Sequence, residues 1–185
     1  MKRFTTKQLI VAAVFFAAII LATCLLRFDI PKSSDGGPLL RHTGKEANCF
    51  ISFGDCVIYI AALAVGNPLA IIAAAVGSAL ADIFVGSAVY AIPSLIIKGA
   101  MAYLAGRMLK NERDWLSIIK LCLYCSLIMI GGYFLFDLII MNDYSVAALC
   151  LPTNVLQAIM NAAIAIPVLK VLSGTYFKQN NTIQG

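Results

Sequence analysis

Residues 56–81 read CVIYIAALAVGNPLAIIAAAVGSALA, a run of 26 residues without Asp, Glu, Lys, Arg or His. Residues 144–169 form a second such run of the same length, and residues 9–26 form a third of 18. A helix of 26 residues is about 39 Å long, which exceeds the roughly 30 Å of a bilayer's hydrocarbon core. These runs predict a protein that lives in a membrane.

The composition agrees with that prediction. Of the 185 residues, 61% are hydrophobic and 12% are charged, and the mean hydropathy is +0.90. A soluble domain of this length cannot cover so much apolar surface, so we expect one integral membrane domain over residues 1–185, with the lipid bilayer as solvent. The net charge of +5 is modest, and no basic stripe with interleaved aromatic residues occurs, so nucleic acid is not an expected partner.

Turn signals divide the chain into an all-α bundle of six predicted transmembrane helices. Pro68 has no N–H and disfavours a helical Asn67, so Gly66-Asn67-Pro68 predicts a break in the first run. The polar residues 28–52 predict an outer loop, and the polar tail from Ser173 is expected to fray. The predicted helices cover residues 7–27, 53–65, 69–84, 90–108, 116–141 and 146–172.

Lysine and arginine set the expected orientation. They occur near both termini and between predicted helices 4 and 5, whereas the turns between helices 3 and 4 and between helices 5 and 6 contain none. Short loops rich in Lys and Arg stay in the cytoplasm, so six spans with both termini in the cytoplasm fit this pattern. In the outer loop, three basic side chains are offset by three acidic ones.

Polar side chains within the apolar stretches are expected to carry the function, because ionisable groups inside a membrane mark substrate pathways. Counted along each helix, they fall in the outer half of the bundle or near its middle. This uneven depth favours a cup open to the outside over a channel, which places polar groups along its whole length. The residues concerned are Asp55, Asp82, Lys98, Tyr133, Asp137, Asn154, Gln157 and Asn161.

Helical spacing brings several of these side chains onto shared faces. Asn154 and Gln157 are three residues apart, Asn161 continues the same face, and Tyr133 and Asp137 are four apart. Each group can point into one cavity.

A purely structural alternative remains. Lys98 could neutralise Asp82 or Asp137 while the other groups form interhelical hydrogen bonds, and Asp55 and Asp82 could snorkel or cap near the interface. Packing alone does not require the shared depth, which favours a ligand cavity.

The six cysteines predict no metal site and no redox centre. Cys122 and Cys125 have CxxC spacing, but no histidine or second pair accompanies them. Most of the six fall in or beside apolar helices, where a thiol acts as a small hydrophobe. Cys49 and Cys56 could approach each other near the outer face, but a disulfide between them is not expected, and their redox state stays open.

The first predicted helix carries Ala13 and Ala17, whose small-xxx-small spacing lets another helix approach closely in lipid. The alternative is ordinary packing within the bundle. No Walker A pattern and no His/Asp/Ser constellation occurs, so the chain is not expected to hydrolyse ATP, to be an enzyme or to need a cofactor.

Seven short motifs, in a fixed order from the second predicted helix to the sixth, resemble those of the substrate-binding S components of energy-coupling factor (ECF) vitamin transporters. Within that family, the hydroxymethylpyrimidine or pyridoxine type is the most similar. Cys56 departs from the expected aliphatic residue, and Asp137 stands where Glu is expected. The motifs are Phe53-Gly-Asp-Cys-Val-Ile-Tyr-Ile-Ala-Ala-Leu, Gly66-Asn-Pro-Leu, Gly77-Ser-Ala-Leu-Ala-Asp82, Tyr90-Ala-Ile-Pro93, Ile97-Lys-Gly99, Gly132-Tyr-Phe-Leu-Phe-Asp137 and Pro152-Thr-Asn-Val-Leu-Gln157.

The resemblance implies a six-helix S component of a bacterial cell membrane that binds a vitamin or precursor from outside. It also implies assembly with a transmembrane coupling protein and two cytoplasmic ATPases. Ala13 and Ala17 match the alanine motif through which the family's first helix meets the coupling protein. Family members are thought to topple in the membrane and to release substrate inward.

A small heteroaromatic ring with hydroxymethyl groups would suit such a cup. Aromatic side chains could stack on the ring, amides could pair with its nitrogen or hydroxyl, and Lys98 or Asp137 could bind a polar substituent. The predicted ligand-binding residues are Asp55, Tyr59, Asp82, Tyr90, Lys98, Tyr133, Asp137, Asn154 and Gln157.

Two other functions remain open. One is a stand-alone secondary transporter in which Asp82 or Asp137 takes up protons. The other is a membrane scaffold that binds no ligand.

Overall fold

The structure is a computed structural model and describes residues 4–29, 49–111, 114–140, 142 and 144–184. These residues form six α-helices, two short strands and one 3-10 turn, Ala88–Tyr90. The helices are α1 (Thr6–Leu25), α2 (Gly54–Val65), α3 (Leu69–Phe84), α4 (Ala91–Asn111), α5 (Trp115–Ile140) and α6 (Tyr144–Gln184), and the strands are β1 (Arg27–Asp29) and β2 (Phe50–Ser52). The six predicted segments are helical, whereas six membrane crossings and the orientation of the termini stay predictions. Most of the predicted outer loop, residues 30–48, lies outside the described residues.

Helix α2 lies at the centre of the bundle, in contact with α1, α3, α4 and α6. Its 12 residues make a helix about 18 Å long, shorter than the hydrocarbon core of a bilayer. Surrounding helices shield the ends of such a segment from lipid, so it need not reach the headgroups. Among the described helices, α1, α4, α5 and α6 have the length and hydropathy of membrane spans, whereas α2 and α3 are apolar but shorter.

The break between α2 and α3 falls where the sequence predicts it. Gly66 has a φ of 65°, in the left-handed region that favours glycine, and the Asn67–Pro68 peptide bond is cis. The Asn67 side chain donates a hydrogen bond of 3.0 Å to the carbonyl of Tyr103 in α4. A Cβ atom at Gly106 would collide with the Asn67 side chain, so this glycine lets the turn pack directly on α4.

Two predicted boundaries need correction. The chain is not purely helical, because β1 and β2 pair antiparallel where the all-α prediction placed helix end and loop. The guanidinium of Arg27 in β1 lies 3.8 Å from the ring centre of Phe50 in β2. This cation–π contact adds to the backbone pairing of the two strands. The tail from Ser173, predicted to fray, continues α6 to Gln184, since extending a formed helix needs no new nucleation.

Apolar side chains fill the end of the bundle that contains the α2–α3 turn. They come from the start of α3, the end of α4 and the start of α5, and several of them are alanines. Among them are Ala70, Ala73, Ala102, Ala105, Leu109, Ile118 and Leu121. This packed layer closes the bundle at that end.

The outer surface of the bundle is apolar as well. Ile92 and Ile139 are 73% and 70% exposed, and many other large aliphatic side chains on α1, α3, α5 and α6 are similarly uncovered. So much exposed apolar surface is unfavourable in water and is what lipid tails cover. The fold is therefore that of a multi-pass membrane protein.

The start of α5 is capped by Asp114. Its carboxyl accepts hydrogen bonds from the backbone N–H groups of Leu116, at 3.2 Å, and Ser117, at 3.4 Å. The Ser117 hydroxyl also bonds this exposed carboxyl, and these hydrogen bonds hold the pKa of Asp114 below its usual value.

Candidate ligand-binding site

A cleft opens at the end of the bundle where α1, α3 and α5 finish and where α2, α4 and α6 begin. The space free of atoms is about 530 Å³, including the part that opens to solvent at the mouth. The residues that line it are Thr23, Cys49, Phe50, Ser52, Ser78, Asp82, Tyr90, Ser94, Lys98, Tyr133, Asp137, Cys150, Asn154 and Gln157.

Seven of the nine residues predicted to bind ligand line this cleft. Asp55 and Tyr59 do not. Tyr59 is 2% exposed and belongs to the apolar core, so the prediction that it stacks on a ligand ring is wrong for this structure. Asp55 lies behind the lining, in contact with Lys98 and Gln157.

Sequence reasoning missed seven lining residues, two of which carried a usable signal. Ser78 stands four residues before Asp82, and Ser94 stands four before Lys98, so each shares a helix face with a predicted residue. Thr23 comes from the end of α1, and the other four residues are brought to the cleft by tertiary folding. The seven are Thr23, Cys49, Phe50, Ser52, Ser78, Ser94 and Cys150.

An ion pair forms the floor of the cleft. The Lys98 ammonium lies 2.5 Å from one oxygen of Asp55, and both side chains are almost wholly buried. Gln157 donates to the other Asp55 oxygen at 3.0 Å, so both carboxylate oxygens have a partner. The structural alternative, in which Lys98 neutralises Asp82 or Asp137, names other carboxylates than the one that the lysine contacts. A buried charge with a partner and further hydrogen bonds is a stable arrangement, whereas one left alone is not.

Two amides of α6 hold the segment that leads into α2. The backbone N–H of Ser52 donates to Gln157 at 2.9 Å, and Asn161 donates to the carbonyl of Ser52 at 2.8 Å. The side-chain oxygen of Asn161 also accepts from the backbone N–H of Cys56 at 2.9 Å. These contacts occupy backbone groups of β2 and of the first turn of α2, where N–H groups lack helical partners. Gln157 and Asn161 therefore position this wall of the cleft.

Aromatic side chains from the 3-10 turn before α4 and from the end of α5 form a second wall. The Tyr90 hydroxyl donates to Asp137 at 2.8 Å, and the hydroxyls of Ser94 and Tyr133 are hydrogen-bonded at 2.7 Å. The rings of Tyr90 and Phe136 pack with centres 5.4 Å apart. These contacts fix the positions of the rings, which combine apolar surface with polar groups at their edges.

Asn154 and Asp82 are two lining residues whose side chains have unused hydrogen-bonding capacity. Asn154 makes no hydrogen bond to any residue that the structure describes and is half-buried. Asp82 is 2% exposed, and its Oδ2 atom has no hydrogen-bond partner among those residues.

A disulfide bond joins Cys49 to Cys150 at the rim, linking the start of β2 to α6. Cys49 therefore does not pair with Cys56, which is a free cysteine. The Cys56 thiol instead donates to the carbonyl of Phe53 within the first turn of α2. The two disulfide-bonded cysteines are 101 positions apart in the sequence, and Cys150 lies in a predicted apolar helix. Their spacing therefore does not predict the disulfide.

The small residues of α1 face away from the cleft. Ala13 and Ala17 are both exposed on the outer surface of that helix. Their side chains are therefore accessible to another membrane helix.

The described fold is that of an ECF S component. A solved structure titled "Structure and mechanism of the S component of a bacterial ECF transporter" is similar to the chain with a TM-score of 0.69, covering 92% of this chain and 97% of that one at 18% identity. Residues 3–174 match the family described as ECF-type riboflavin transporter, S component, and the chain belongs to that family.

A protein from Pyrococcus woesei is also similar. It is described as an uncharacterized protein in gap 3'region, and it is 28% identical over 116 residues, 63% of this chain and 68% of that protein. The family is one of transporter subunits and not of enzymes. ECF S components bind small-molecule vitamins and work with a membrane coupling protein and ATPases.

Proposed function

We propose that the chain captures riboflavin, or a closely related flavin, in the cleft and delivers it across the membrane with a coupling protein and two ATPases. Membership of the riboflavin family is the observation that carries this proposal. The cleft supports it, since tyrosine rings can pack against a tricyclic ring system while Asn154 and Asp82 remain available to polar groups.

The ligand is where this proposal departs from the motif resemblance. A hydroxymethylpyrimidine or pyridoxine molecule has one small ring, whereas riboflavin has a three-ring system and a ribityl chain with four hydroxyl groups. The family match favours riboflavin. The smaller vitamins become the competing ligands in the binding test.

We propose further that the cleft opens to the outside of a bacterial cell membrane, with six spans and both termini in the cytoplasm. The rim disulfide supports this side, because disulfides persist in oxidising compartments outside the cytoplasm. Basic side chains support it too, since Lys7, Arg107, Lys120 and Lys170 all lie toward the end opposite the cleft.

The exposed Ala13 and Ala17 face is the proposed contact with the coupling protein. In lipid, small side chains allow helix backbones to approach closely, and α1 offers such a stripe without interrupting the cleft.

The binding test uses the purified full chain in detergent. Riboflavin is titrated while its fluorescence is followed, with pyridoxine and hydroxymethylpyrimidine as competitors. We expect the riboflavin fluorescence to be quenched by saturable binding, and we expect the smaller vitamins not to displace the bound riboflavin. Absence of flavin binding, or displacement by pyridoxine at equal concentration, would overturn the proposed ligand.

The transport test separates the proposal from proton-coupled transport. Vesicles with this chain alone should not concentrate riboflavin under a proton gradient, and vesicles that also contain the coupling protein and ATPases should do so with ATP. Accumulation by the chain alone would instead support a stand-alone transporter that uses Asp82 or Asp137.

A further inference from the structure

One buried oxygen atom in the cleft lacks a partner. Oδ2 of Asp82 is the single buried side-chain nitrogen or oxygen without a hydrogen bond in the part of the chain that the structure describes. Buried polar atoms are nearly always hydrogen-bonded, and an unsatisfied one destabilises a folded protein. An exception inside a ligand cleft therefore calls for a partner that arrives from outside the chain.

The backbone fixes where this side chain points. Asp82 lies in the last turn of α3, and its carbonyl accepts a hydrogen bond of 2.8 Å from the N–H of Ser87, which secures the helix end. Ser78, four residues earlier, also lines the cleft, so both side chains share the face of α3 that forms its wall.

Neighbouring charged groups are already engaged. Lys98 interacts electrostatically with Asp82, but its direct partner is Asp55. Arg27 is near enough to act on Asp82 as well, yet it stacks on the Phe50 ring and is not among the lining residues.

The charges of the lining are unbalanced. The lining contains two acidic side chains, Asp82 and Asp137, and one basic side chain, Lys98. The charge of Lys98 is balanced by its ion pair with Asp55, which lies behind the lining. Asp137 already accepts a hydrogen bond from Tyr90. The cleft is therefore acidic, with one carboxylate oxygen unused.

We propose that Asp82 determines ligand specificity. Its free oxygen accepts a hydrogen bond from a hydroxyl or N–H group of a neutral ligand, and its negative charge disfavours the phosphate ester of the same ligand. This inference rests on the proposed function, which makes riboflavin the neutral ligand and riboflavin 5′-phosphate the rejected ester. A phosphate group carries negative charge and adds hydrogen-bond acceptors but no donor. The acidic, desolvated wall of the cleft therefore repels it and gains no hydrogen bond from it.

The experiment measures Kd for riboflavin and for riboflavin 5′-phosphate on the full chain in detergent. In Asp82→Asn the preference for riboflavin over its phosphate should fall about tenfold or more, because one unit charge is removed from a site of low dielectric constant. In Asp82→Leu riboflavin itself should bind about tenfold or more weakly, because the acceptor is gone. Asp114→Asn removes the same charge from the exposed α5 cap and should change neither Kd.

A stability readout distinguishes a binding role from a structural one. The melting temperature of ligand-free Asp82→Asn should equal or exceed that of the wild type, because the substitution removes an unsatisfied buried carboxylate. A marked drop would mean that Asp82 holds the fold together, and that would overturn the assignment.

The outcomes separate the two proposals. If the wild type binds riboflavin and Asp82→Asn keeps the same preference over the phosphate, the role of Asp82 is wrong and the proposed ligand stands. If the wild type binds neither flavin, the proposed ligand is wrong, and the role of Asp82 falls with it.

Discussion

Replacing Lys98 with methionine tests the buried ion pair at the floor of the cleft. The substitution keeps an unbranched side chain one atom shorter than lysine and removes its charge, so Asp55 is left buried with only the hydrogen bond from Gln157. Breaking one side of a buried pair destabilises a protein by about 3–5 kcal/mol. At about 2–4 °C per kcal/mol for a chain of this size, the melting temperature should fall by about 6–20 °C.

The assay is a thermal unfolding scan of the purified chain in one detergent, without ligand. The double variant Lys98→Met/Asp55→Asn should recover most of the loss, because the asparagine is neutral and still offers Gln157 an acceptor. Lys120→Met serves as the matched control, since Lys120 is exposed on α5, and it should lie within about 0.5 kcal/mol of the wild type.

Two results would refute the reasoning. One is a Lys98→Met variant that melts with the wild type, which would mean that Asp55 does not depend on the lysine. The other is a double variant that is less stable than Lys98→Met alone, which would mean that neutralising Asp55 does not relieve the loss of the lysine.

The other predictions concern the rim, the amides and the α1 surface. Cys150→Ser should lower the free energy of unfolding by about 2–4 kcal/mol, and a reductant should have no further effect on this variant. Cys24→Ser, which removes a free thiol, is the control. A wild type whose stability does not change with reductant would argue against the disulfide. Asn161→Ala should lower stability by about 1–3 kcal/mol, because it leaves backbone groups of β2 and α2 unpaired, as unfolding scans can check. Asn154→Ala should leave stability unchanged and weaken riboflavin binding about fivefold or more, measured by fluorescence titration; an unaltered Kd would exclude Asn154 from the site. Ala17→Leu should leave the riboflavin Kd unchanged and abolish ATP-driven uptake in vesicles. Ala163→Leu, at an exposed alanine of α6, is the control and should leave uptake intact. Normal uptake by Ala17→Leu would refute the proposed contact with the coupling protein.

Local signals account for what the sequence predicted well. Charge-free runs and the Gly66-Asn67-Pro68 break are properties of neighbouring residues, and they place α2 and α3 within one residue of their observed bounds. Helix spacing likewise indicates that Asn154 and Gln157 share a face. The position of polar groups along antiparallel helices is enough to bring seven predicted side chains to one cleft.

Long-range choices account for what the sequence missed. Asp55, Asp82 and Asp137 are all candidates for pairing with Lys98, and only the packing of α2 against α4 brings Asp55 to the lysine. Tyr59, four residues further along α2, lies in the apolar core. The pairing of β1 with β2 and of Cys49 with Cys150 joins segments distant in sequence, which no local pattern encodes.

The two-stranded ribbon has a practical consequence for engineering. Because Asp29 pairs with Phe50, the chain leaves β1 and re-enters β2 at adjacent points. Lengthening a connection whose ends are already held together adds little closure entropy, since that penalty grows only with the logarithm of length. An epitope tag or a small fluorescent reporter spliced between these strands should therefore leave the helices in register, and antibody labelling of intact cells would then report the sidedness of the ribbon directly.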